Sequence, residues 1–244
     1  MVEIGVIPSI ETTDFKEIVE VVKGRTNQNF VKGHWRINIR PFEFDQNKIE
    51  SLDHCWKIIE DCQVLLRGWG YPTINPSEMI SHDDWIQSNA KHPLKGFEAW
   101  KFYQSGQFIQ YFTCVEDFPA YHKVFPPYIG AKLGILATLY RITEIYKFVS
   151  RLAQKNVLDT GAKVCISLKG MEGRRLEESG KILAYTSEQD EIKIESSLSA
   201  IDLMTSLHEE ALNKTLEIYS KFGFSNSKVI LRAEQDRLLE KRLG

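Results

Sequence analysis

The sequence predicts an α+β fold on three observations. Two aromatic-rich runs within residues 98–116 meet at Ser105-Gly106, where glycine permits the positive φ of a tight turn, so they should form an antiparallel hairpin. A long run with helical apolar spacing, about 133–155, reads as a central helix. Strands and helices do not alternate at constant length, as a doubly wound sheet would require. The expected architecture is a mixed or antiparallel sheet bearing the aromatic hairpin, packed against the central helix and C-terminal helices. No repeat or low-complexity linker divides the chain, so residues 1–244 read as a single domain, with 226–244 a helical appendage or self-association surface.

Each element has a local reason. Asp14 and Glu17 form a capping box ahead of the apolar face Phe15, Ile18, Val19 and Val22, which predicts a helix over 14–23 ended by Gly24. Trp35, Ile37 and Ile39 alternate with Arg36, Asn38 and Arg40, a strand with one wet, basic face. Ser51 caps a helix to about Gln63 whose Leu52, Cys55, Trp56, Ile59 and Cys62 recur at three and four. Val64, Leu65 and Leu66 suggest a short buried strand presenting the loop Arg67-Gly68-Trp69-Gly70-Tyr71-Pro72. Asn75-Pro76-Ser77-Glu78 starts a short helix, and the polar stretch to Gly96 reads as loop and turn.

Pro119, Pro126 and Pro127 break the segment after the hairpin, and Gly130 and Gly134 precede the central helix. On that helix Arg141, Glu144, Lys147 and Arg151 line one polar stripe, expected to face solvent. Runs at 162–168, 181–185 and 191–195 have strand character. Ser199 and Asp202 cap a helix closed by Gly223, and a charged helix follows at about 228–242.

Composition narrows the function. With 31 basic against 33 acidic residues, no global field attracts nucleic acid or an anionic membrane, so any anion site must be local. Cys55, Cys62, Cys114 and Cys165 include no Cys-x-x-Cys pair and no histidine at finger spacing, which predicts reduced thiols, no zinc site and no cofactor. Without a signal-like N-terminus or a bilayer-length apolar run, the expected location is cytoplasmic, with no membrane partner.

Two loops carry the candidate site. Arg67 beside Trp69 and Tyr71 joins a guanidinium to stacking surfaces, a chemistry that holds an unpaired base or nucleotide; the other reading makes the aromatics core plugs. Lys169-Gly170-Met171-Glu172-Gly173-Arg174-Arg175 brings three cations to a flexible backbone that could hold an anion, unless Glu172, Glu177 and Glu178 pair with its arginines. Arg36 would complete a basic pocket if its strand face neighboured both loops. Glu191-Ile192-Lys193 is a Glu-x-Lys of the kind metal-dependent nucleases use, and it needs a second acid on a neighbouring strand. His82-Asp83-Asp84 and His208-Glu209-Glu210 lack the spacing of a metal pair, and Ser105 sits in a hairpin turn, not at a nucleophile elbow.

Leu66-Arg67-Gly68-Trp69-Gly70-Tyr71-Pro72, Phe102-Tyr103-Gln104-Ser105-Gly106-Gln107-Phe108, Tyr140-Arg141-Ile142-Thr143-Glu144-Ile145 and Gly173-Arg174-Arg175-Leu176 together resemble an uncharacterised group of bacterial proteins. Some of its members join this region to a Schlafen-type domain associated with DNA binding, which this chain is expected to lack. The resemblance implies a bacterial sensing, regulatory or defence-associated module working with a partner, and it transfers no active-site residue.

The leading expectation is therefore a non-catalytic binding module whose Arg67, Trp69, Tyr71, Arg174, Arg175 and Arg36 hold an anion, a nucleotide or a nucleic-acid strand. The alternatives are a metal-dependent nuclease or phosphoesterase using Glu191 and Lys193, or a structural subunit docking a partner protein or a second copy through helices 199–222 and 228–242.

Overall fold

The computed structural model describes residues 33–92, 96–117, 132–178, 181–225 and 227–240. The helix expected at 14–23 and the prolines 119, 126 and 127 lie outside these. The fold is α+β: a seven-stranded antiparallel sheet, a small three-stranded sheet, and helices on the core face of the large one.

The strands of the large sheet are β1 (His34–Pro41), β2 (Met79–His82), β3 (Trp85–His92), β4 (Gly96–Tyr103), β5 (Phe108–Thr113), β7 (Ala162–Lys169) and β10 (Glu191–Leu198), in the order β10-β7-β1-β5-β4-β3-β2. The second sheet runs β6 (Lys132–Gly134), β8 (Arg175–Glu178), β9 (Lys181–Thr186), with β6 and β8 parallel. β4 and β5 form the aromatic hairpin, turning at Gly106 with φ 81°. β1 sits mid-sheet, and its register sets Trp35, Ile37 and Ile39 beside Phe112, Gln110 and Phe108 on the core face.

The helices are α1 (Leu52–Cys62), α2 (Ile135–Gln154), α3 (Ala200–Thr205), α4 (Leu207–Ser220) and α5 (Lys228–Glu240). α2 is central: α1, α3, α4 and α5 all pack on it. Its Leu139, Ile142, Ile145, Phe148, Val149 and Leu152 meet the core face of the sheet in one continuous apolar cluster. The Ser51 hydroxyl caps α1 by accepting from the His54 amide, and Cys55, Ile58, Ile59 and Cys62 are its buried stripe. Burial pushes both thiols up to about 12, so they remain protonated packing groups.

Four expectations need correction. The stretch before Gly96 is not loop: β2 and β3 form a hairpin turned at Asp83, whose φ is 43°. The pattern is hidden because Gln87 and Asn89 are buried polar residues that satisfy one another, Gln87 Nε2 donating to Asn89 Oδ1. Residues 64–66 make no strand; Val64 alone bridges to Tyr71. The helix after Ser199 breaks at Ser206, where the Thr205 and Ser206 hydroxyls donate to the carbonyls of Ile201 and Asp202, competing with the helical ladder. Finally, Glu144 on the supposedly solvated stripe of α2 is completely buried.

Candidate functional site

The Arg67–Tyr71 loop is closed on itself. The amides and carbonyls of Val64 and Tyr71 exchange hydrogen bonds of 2.7 and 2.8 Å across its neck. The Gln63 side chain crosses the loop to donate to the Pro72 carbonyl, over the place a Cβ on Gly70 would occupy, which explains that glycine. Tyr71 is fully buried; its hydroxyl donates to Gln110 Oε1, and Gln110 Nε2 in turn donates to Glu98. The ring therefore plugs the core. Arg67 turns inward, its Nε donating to Glu144 at 2.8 Å, while its guanidinium lies 4.9 Å from the Trp69 ring centroid. Arg141 approaches the same Glu144 at 3.7 Å and lies over the rings of Phe112 and Tyr71.

Arg174 is equally committed to the interior. With no exposed surface, it donates to the carbonyls of Gly170 and Lys132 and pairs with Asp117, a partner 57 residues away that proximity in sequence does not suggest. Gly33 donates its amide to the same carboxylate oxygen, and a Cβ there would overlap the guanidinium. Arg175 points the other way and donates to the Leu183 carbonyl of β9. The two loops do not merge into one basic pocket, and Tyr71 and Arg174 are structural.

The basic strand face is where cations gather. On β1 the residues turned away from the core are His34, Arg36, Asn38 and Arg40, and the register matches them with Lys169, Ser167, Cys165 and Lys163 of β7. β7 in turn faces Glu191, Lys193, Glu195 and Ser197 of β10. Five of these twelve side chains are cations, Arg36, Arg40, Lys163, Lys169 and Lys193, against the two acids Glu191 and Glu195. A cleft of about 190 Å³ opens on this face, bounded by Asn38, Arg40, Lys163, Cys165, Lys193, Glu195 and Ser197.

Charges in the cleft are unevenly answered. Lys193 pairs with Glu195 at 2.8 Å and, by that hydrogen bond above all, holds its carboxyl below the usual range. Lys169 pairs with Glu191 at 3.2 Å. Arg40 and Lys163 stand directly opposite each other and have no ion pair among the described residues. At the far end His34 stacks on Tyr111, centroids 4.9 Å apart. Burial, helped by Arg36 and Lys169, lowers its imidazole to about 4, so it adds no charge at neutral pH.

Of the six expected site residues, only Arg36 lies on this face. The Glu-x-Lys residues Glu191 and Lys193 lie there too, but each is engaged by an opposite charge. Among the described residues no group of three or more His, Cys, Asp or Glu could hold a metal ion. Arg40 is legible from sequence as part of a basic strand face; Lys163 is not, because its partners are set by register with residues 123 positions away. Among the described residues no helix is long and apolar enough to cross a membrane. No known protein family, curated protein or solved structure matches the chain.

Proposed function

We propose that the chain is a binding module for a phosphate-bearing anion, a nucleotide or a nucleic-acid strand, held on the outer face of β1, β7 and β10. The observation that carries this reading is the Arg40–Lys163 pair. Like charges directly opposite in a sheet cost stability, and an anion lying between them would remove that cost. Lys193 and Arg36 lie on the same face, and the Ser197 side chain in the cleft lining offers a neutral hydrogen bond. The resemblance to bacterial modules associated with sensing, regulation or defence fits a ligand-reading role without chemistry.

The test is a titration against labelled single-stranded and duplex DNA and RNA, and against a nucleoside triphosphate, at two salt concentrations. Binding that weakens as salt rises, and that falls in Lys163→Thr and Arg40→Gln, supports the site. Absence of binding at low salt, or full affinity in both variants, removes it.

A further inference from the structure

A second cleft lies on the core side of the sheet, where the start of α2 meets β1 and β5. It measures about 30 Å³ and is lined by Trp35, Arg67, Phe112, Glu116, Thr138 and Arg141, among others. Three features of its lining point to a ligand.

The first is Thr138. It is 1% exposed, and its hydroxyl has no hydrogen-bond partner among the described residues. Helical threonines ordinarily donate to the carbonyl four residues back, and Thr143, Thr205 and Thr215 all do so here. Thr138 departs from that habit, and a buried hydroxyl without a partner is costly.

The second is charge. Arg67 and Arg141 share the single carboxylate of Glu144, and Arg141 reaches it only at 3.7 Å. Two guanidinium groups thus meet one carboxylate directly. Glu116, the other acid of the lining, is engaged elsewhere: one of its oxygens accepts from the Gly134 amide at 3.2 Å. The third is shape. Phe112 covers one face of the Arg141 guanidinium with its ring centroid 4.5 Å away, which leaves the N–H edge as its polar surface.

We propose that this cleft binds the carboxylate head of a small organic acid, with Arg141 and Arg67 as cationic donors and the Thr138 hydroxyl as a third donor. Size selects the ligand. A water needs roughly 10–15 Å³ of such space, so the cleft holds about two oxygen-sized groups, which matches a carboxylate better than the four oxygens of a phosphate. The site is separate from the outer sheet face and does not depend on it.

The probe is acetate, titrated into the full chain with chloride holding ionic strength constant, and inorganic phosphate is a second arm. The readouts are the guanidinium Nε–Hε resonances of Arg67 and Arg141 and the melting temperature. Acetate should shift both resonances saturably and raise the melting temperature, with phosphate weaker. Thr138→Val, which keeps the shape and removes the hydroxyl, should weaken acetate roughly tenfold, the worth of a hydrogen bond to a charged group. Arg141→Met should abolish binding; should that variant not fold, Thr138→Val decides alone. Unsaturable shifts, equal acetate affinity in Thr138→Val, or tighter binding of phosphate than acetate would overturn the assignment.

Discussion

Arg40 and Lys163 face each other across the β1–β7 ladder, two cations where sheet stability favours a cation and an acid. Lys163→Thr should therefore stabilise the ligand-free protein, by about 0.2–1 kcal/mol, while weakening anion binding. If the ligand is single-stranded, the slope of log affinity against log salt should become shallower by about 0.7 for each phosphate that no longer meets a cation. Paired denaturant melts and anisotropy titrations would check both. A variant that loses stability and keeps its affinity would contradict the reading.

Arg174 stands at the opposite extreme. Its charge, fully buried, is answered by Asp117 and by two backbone carbonyls. Arg174→Met should destabilise by about 3–5 kcal/mol, because Asp117 would be left without its cation. For a chain this long that is a drop in melting temperature on the order of 10 °C. Any remaining folded fraction should bind anions as the parent does, a separation that circular dichroism and titration on one sample would show.

Glu144 makes a related prediction about a triad. Glu144→Gln leaves Arg67 and Arg141 around a neutral amide and should cost about 3–5 kcal/mol. Replacing all three with well-packed apolar residues removes both the charges and their desolvation penalty, so much of that loss should return. Urea melts of the single and triple variants would compare them.

His34 supplies a pH dependence with a definite sign. Its folded pKa, about 4, lies below the unfolded value near 6.5. Above pH 6.5 both states are neutral and the group is silent. As pH falls from 6.5 towards 4 the unfolded chain takes up a proton that the folded chain does not, so stability drops, and the loss is complete below 4. Its upper bound is roughly 3 kcal/mol. His34→Phe, which keeps an aromatic ring against Tyr111, should flatten stability over this window, and the imidazole proton resonances of the parent should titrate with a midpoint near 4.

Local signals are legible where the chain satisfies itself nearby. The Ser51 cap, the Ser199–Asp202 capping box, the Ser105-Gly106 turn and the apolar stripe of α2 all depend on residues within a few positions of one another, and all stand in the structure. Long-range partners stay hidden. Nothing near Glu144 in sequence points to Arg67, and nothing near Arg174 points to Asp117, so a buried structural arginine such as Arg174 looks like a free binding group. Charge content identifies the right kind of residue, whereas strand register decides which cations share a surface.

The placement of β1 has a kinetic consequence. Its two neighbours are β5 and β7, and His34 finds its partner Lys169 135 residues further on. Such pairings require closure of long loops before they contribute any stability, which slows folding. During synthesis at roughly 5–20 residues per second, β1 would wait several seconds for β5 and longer for β7, with its apolar Trp35, Ile37 and Ile39 unsheltered by either strand. The same strand that later sits at the middle of the sheet is thus a segment exposed to premature association, and its alternating arginines keep that nascent surface charged in the meantime.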